Sequence, residues 1–159
     1  MTVQAPATAP VFDAVYARHY AELVRLAYLT TGSLPAAEDV VQDAFVEWWR
    51  RCDQVRSPAA YLRRAVVSRC TSWVRRRVRE RSRLPDLEVA PAVPPNPDVP
   101  AVRSALARLT PRRRAAVFLR YYLDLPEAEI AAALGCRPGT VKSLLHRSLS
   151  TLREHLDEH

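Results

Sequence analysis

Glycine is nearly absent from this chain of 159 residues; three occur, at positions 32, 135 and 139. So few permissive backbone sites argue against a fold built from tight hairpins. The periodic stretches are instead filled with Ala, Leu, Arg and Glu, which favour helix. Cysteine is equally scarce. Cys52, Cys70 and Cys136 are odd in number, far apart and without C-x-x-C or Cys/His spacing, so neither a metal site nor a disulfide framework is expected. No run of 18 apolar residues occurs, and residues 1–11 (MTVQAPATAPV) lack the apolar core of a leader, which predicts a cytoplasmic protein with no membrane partner. Signatures of catalysis are missing too. No Gly-rich nucleotide loop or nucleophile-base pair can be found, and His19, His146, His155 and His159 are scattered, the last two near an end expected to fray. The expectation is a non-enzyme that needs no cofactor.

What the chain does have is charge, unevenly dealt. The net charge is +7, yet residues 1–62 carry five basic and seven acidic groups. Residues 63–83 hold nine Arg against Glu80 alone, residues 84–100 three acids and no base, and residues 101–159 ten bases against six acids. One short arginine block therefore exceeds the excess of the whole protein. Such a block is often a solvated helix face, but its density suits a polyanion such as DNA, or else a membrane surface.

Apolar residues recur at helical spacing from Phe12 to Leu29, and Thr31-Gly32-Ser33 breaks that pattern. Residues 35–51 (PAAEDVVQDAFVEWWRR) read as an amphipathic helix. Val40, Val41, Ala44, Phe45 and Trp48 form its apolar stripe, with Asp39, Gln42, Asp43 and Glu47 largely outside it. Ser57-Pro58 opens a third long helix to about residue 81. Residues 84–100 contain six prolines and no glycine, which predicts an extended acidic linker. Short helices are expected over 101–109, from Thr110-Pro111 to Leu123 and over 127–134, then a long one over 138–156. The fold class is thus all-α: two small helical domains, 12–83 and 101–157, joined by a Pro-rich linker, 84–100.

Residues 127–146 (EAEIAAALGCRPGTVKSLLH) fit the helix-turn-helix template slot by slot. Ala131 is small where two helices cross, and Gly135 suits the left-handed turn. Ile130, Leu134, Cys136 and Val141 supply a shared core, and Pro138 presets the second helix. That helix would project Arg137, Thr140, Lys142, Ser143, His146 and Arg147 toward a DNA major groove. An ordinary helical hairpin with a corner glycine shares the apolar positions but not the basic exposed face. Cys136 reads as packing rather than chemistry.

Two further stretches identify a family. Residues 37–49 (AEDVVQDAFVEWW) resemble the polymerase-docking segment of bacterial sigma factors, and residues 110–123 (TPRRRAAVFLRYYL) with 127–153 resemble their carboxy-terminal domain. The whole is similar to the extracytoplasmic-function (ECF) group of the sigma-70 superfamily, of the sigma-E kind. The resemblance implies that the chain binds core RNA polymerase and directs promoter-specific initiation. It implies that Asp39, Gln42 and Asp43 touch the polymerase; without the resemblance they would read as a solvated face. It implies that residues 52–60 and the following helix recognise and melt the minus-ten element through Tyr61, Arg63, Arg64, Arg69, Trp73, Arg75 and Arg76. Unpaired bases need stacking surfaces and backbone charges, although Trp73 taken alone suits core packing better. The helix-turn-helix would read the minus-thirty-five element, and an anti-sigma protein is a further partner the resemblance allows. Pro126 departs from the family's usual Ser-type cap. The rival reading is a helix-turn-helix regulator of LuxR type, which shares the Thr-Pro entry and the Thr-Val-Lys string.

Overall fold

A computed structural model of the chain describes residues 9–83 and 100–158. Every regular element among them is helical. Helix α1 spans Ala9–Thr31, α2 Leu34–Arg50, α3 Pro58–Arg83, α4 Pro100–Ala107, α5 Pro111–Val117, α6 Glu127–Leu134 and α7 Pro138–Asp157. The expected linker, apart from Pro100, lies outside the described residues.

Local chemistry explains the boundaries. Gly32 adopts φ 73° and ends α1. Ser33 then caps α2, accepting a hydrogen bond from the Ala36 N–H at 3.3 Å, with Pro35 in the first turn. Ser57 opens α3 in the same way, through the Ala60 N–H at 3.4 Å. Thr110 caps α5 through the Arg113 N–H at 3.3 Å. The helix expected to run evenly to Leu123 does not. Beyond Val117 it widens into a π turn over Phe118–Tyr122, the Leu123 N–H reaching back five residues to the Phe118 carbonyl at 3.2 Å. The Phe118 and Tyr122 rings stack there with centroids 4.6 Å apart, an aromatic pair that periodicity alone does not reveal.

The three amino-terminal helices pack on one another around Leu26, Val41, Phe45, Trp48, Leu62 and Val66. Phe12 closes one end of this bundle, its ring stacked 5.9 Å from Trp48 and edge-on to Trp49 at 5.1 Å. In the second unit, α4, α5 and α6 each pack against the long α7. His155, expected at a frayed end, is instead buried, with its Nε2 3.0 Å from the Ser104 hydroxyl on α4. The terminal turn is held because α4 folds back over it.

The two units are not separate. Helix α5 packs on α1 and α3, and α6 packs on α3. Their buried residues join a single apolar cluster that includes Leu26, Ala27 and Val66 from one unit and Ala115, Leu119 and Ile130 from the other. Polar ties reinforce this seam. The Arg114 guanidinium of α5 donates to the Thr30 carbonyl at 3.0 Å, in the last turn of α1 where carbonyls lack helical partners. Burial pulls the Arg114 pKa down from its ordinary value. Arg25 of α1 donates to the Tyr122 hydroxyl, and Arg63 of α3 faces Glu129 of α6 at 4.0 Å.

Gly135 sits at φ 66° after α6. A Cβ there would meet nothing nearer than Arg64 Nη2 at 3.8 Å, an ordinary contact. Gly135→Ala should therefore cost only the left-handed backbone penalty, about 1–2 kcal/mol. An unchanged denaturation midpoint would contradict this turn. A second expectation concerns pH. Glu47 accepts from Arg69 at 2.7 Å and from the Tyr61 hydroxyl at 2.9 Å, and these donors hold its carboxyl below the ordinary value of 4.5. A depressed carboxylate contributes stability above the unfolded pKa and loses it as pH falls through the folded one. The melting-temperature gap between wild type and Glu47→Gln should thus be open at pH 7 and close below about pH 4. A gap constant across that range would contradict the assignment. Partial exposure keeps it small.

Candidate nucleic-acid and partner interfaces

Three surfaces carry the residues singled out in the sequence. On α2, Asp39, Gln42 and Asp43 are exposed on the side opposite the buried stripe. Together with Val46, which is half exposed, they fall at i, i+3, i+4 and i+7, one continuous face. Glu47, one residue further round, turns inward to α3 and makes the two bonds described above. Asp43 lies between these roles, with its carboxylate 3.9 Å from Arg69.

Along α3 the basic residues divide into two groups. Arg63 and Arg69 are half buried and paired, Arg63 with Glu129 and Arg69 with Glu47. Arg64 is exposed but lies beside the Gly135 turn. Arg75 and Arg76 are exposed beyond the packed part of the helix. Trp73 is not core, contrary to the reading of that residue alone. It is half buried at the surface, outside the apolar cluster, with the Arg77 guanidinium over its ring at 5.2 Å. That cation–π pairing keeps an aromatic face among arginines.

The helix-turn-helix is built from α6, the Gly135 turn and α7. Ile130, Ala131, Leu134 and Val141 are buried and Cys136 is partly buried against them. Their packing leaves the opposite side of α7 outward. Arg137 at its N-cap and Thr140, Lys142, Ser143, His146 and Arg147 on its first turns are all exposed. Ser143 donates to the Gly139 carbonyl at 3.3 Å, and Lys142 is 4.0 Å from Glu127 while remaining largely solvated. Pro126 precedes α6 without a side-chain cap, and its carbonyl takes the Ile130 N–H at 3.1 Å instead. Leu144 packs partly against the core.

The structure thus brings the helix-turn-helix residues onto one face and the α2 residues onto another. It does not gather the seven α3 candidates into one free surface. Glu47, Glu129, Arg114 and Arg77 went unassigned in the sequence. Glu47 could be noticed as a polar residue beside the α2 stripe, but nothing local foretells a partner 22 positions away or the long-range reach of Arg114. Among the described residues no cluster of His, Cys, Asp and Glu could hold a metal. No helix among them is long and apolar enough to cross a membrane.

Residues 15–80 match the family described as sigma-70 region 2, and residues 100–152 match sigma-70 region 4. The RNA polymerase sigma-E factor of Streptomyces avermitilis is 39% identical over 127 residues, covering 76% of this chain and 71% of that protein. The ECF RNA polymerase sigma factor SigL of Mycobacterium tuberculosis is 33% identical and covers 97% of this chain and 93% of its own. Among solved structures, the sigma factor RpoE of Bartonella quintana, in complex with the anti-sigma factor NepR, superposes with a TM-score of 0.80 at 25% identity, over 94% of this chain and 98% of that one. The LuxR-type alternative accounts for neither the region 2 match nor these relatives. With both helical units matched, this protein belongs to the sigma-70 family of RNA polymerase sigma factors, in its extracytoplasmic-function group.

Proposed function

We propose that the chain docks on core RNA polymerase through Asp39, Gln42 and Asp43, reads and melts the minus-ten element with α3, and reads the minus-thirty-five element with α7. The observation that supports this reading best is the solvent-facing set Arg137, Thr140, Lys142, Ser143, His146 and Arg147 on one side of a well-buried α7. A helix whose other face is fixed in a core presents such residues with little conformational freedom, as groove reading requires.

On α3 the division of labour follows exposure. Arg64, Arg75 and Arg76 suit backbone phosphates, and Trp73 with Arg77 suits an unpaired base, since stacking tolerates any base. Arg63 and Arg69 would join them by exchanging Glu129 and Glu47 for phosphate. The chain breaks and forms no covalent bonds itself; it lends the polymerase its address and works in the cytoplasm, where its DNA is. The anti-sigma partners of solved relatives such as RpoE suggest an equivalent partner here.

Asp39→Ala with Gln42→Ala should weaken co-elution with core polymerase while leaving the helical circular-dichroism signal unchanged, because exposed truncations cost only about half a kcal/mol of stability. Full affinity for core in that double variant would remove the docking assignment. For the recognition helix, Arg137→Ala and Lys142→Ala should each weaken transcription almost uniformly across a promoter panel and lower the salt slope by about one counterion. A loss concentrated at one base pair, about 1–3 kcal/mol, would instead mark a guanine reader. Wild-type behaviour from both variants at every promoter would mean that α7 does not face DNA.

A further inference from the structure

We infer that Gly139 is the point of closest approach between α7 and DNA, where the missing side chain lets a base edge rest against the helix backbone. The inference rests on the reading of α7 given above and adds what sets the depth at which that helix seats.

Among the described residues nothing asks for glycine here. Gly139 is the second residue of α7. Unlike Gly32 and Gly135 it does not adopt a positive φ, so any L residue fits its backbone without strain. A Cβ there would meet no atom within 4 Å beyond its own turn of helix. Glycine loses more conformational freedom on folding than alanine does, so it weakens the helix that carries it. A helix weakened at a place where alanine would fit has its reason outside the fold.

Its place on α7 indicates what that reason is. Gly139, Ser143 and His146 stand at i, i+4 and i+7, an exposed line on the side away from buried Val141, Leu145 and Ser148. Lys142 flanks this line on one edge, and Thr140 and Arg147 flank it on the other. Ser143 folds its hydroxyl back onto the Gly139 carbonyl at 3.3 Å, so the line stays low beside its longer neighbours. A major groove about 12 Å wide admits a helix about 10–12 Å across with little slack. The edge residues then reach the walls of the groove, and the bare centre meets the base edges on its floor. A methyl group added at that centre would lift the whole helix.

The test uses full-length variants, alone for melting and with core polymerase on promoters that the wild-type holoenzyme transcribes. Gly139→Ala and Gly139→Leu should melt no lower than wild type and co-elute with core polymerase as it does. Transcription should nonetheless fall, about ten-fold for Gly139→Ala, the size of one mismatched base pair, and further for Gly139→Leu. Ser150 is exposed on the same side of α7, about 16 Å further along at 1.5 Å per residue and so past the width of the groove. Ser150→Leu should therefore transcribe as wild type. Undiminished transcription from both Gly139 variants, a melting temperature lowered by Gly139→Ala, or an equal loss from Ser150→Leu would each overturn the proposal. Arg137→Ala and Lys142→Ala, assayed alongside, separate that failure from failure of the reading beneath it. If they lose activity while the Gly139 variants do not, α7 faces DNA without seating on Gly139.

Discussion

Helix α3 is the wall that both halves of the molecule lean on. Its Leu62, Val66, Val67 and Cys70 side chains are buried, and α1, α2, α5 and α6 all pack on it. Burial of that stripe is what every other placement depends on. Each fully buried Leu or Val contributes about 1.5–3 kcal/mol, far more than any of the ion pairs along the seam. It also keeps the Cys70 thiol inert, since burial pushes its pKa up to about 12. Because the stripe occupies only the first half of α3, the arginine-rich second half carries charge without having to pack.

That division explains how much of the site could be read from the chain. Helix positions followed from periodicity and caps, because Ser33, Ser57 and Thr110 act within three residues of where they stand. The helix-turn-helix was legible for the same reason: Ala131, Gly135 and Val141 answer to constraints a few positions apart. Arg63 and Arg69 were not. Both read as free positive charge in a basic block, and both are paired to carboxylates outside α3 that only tertiary packing selects. Trp73 taken alone suggests core, and only the end of the packed stripe shows that α3 has left it. The widening at Phe118–Tyr122 and the burial of His155 likewise depend on packing partners distant in sequence.

The same features give the function its logic. A promoter-reading protein with strong arginine charge would bind DNA everywhere if that charge were always available. Here Arg63 and Arg69 are engaged by the chain's own Glu129 and Glu47. On the proposed reading, what remains exposed on α7 would be insufficient alone, because two promoter elements would have to be read at once. Polymerase would then be the scaffold that fixes the distance between readers, and specificity would belong to the complex. Run-off transcription by purified core polymerase on a library of genomic fragments, with and without this chain, tests that claim most directly. The account predicts transcripts that appear only when the chain is added, starting at a limited set of sites that share two short elements. Unchanged transcripts on its addition, together with tight sequence-specific footprints from the isolated chain, would contradict it.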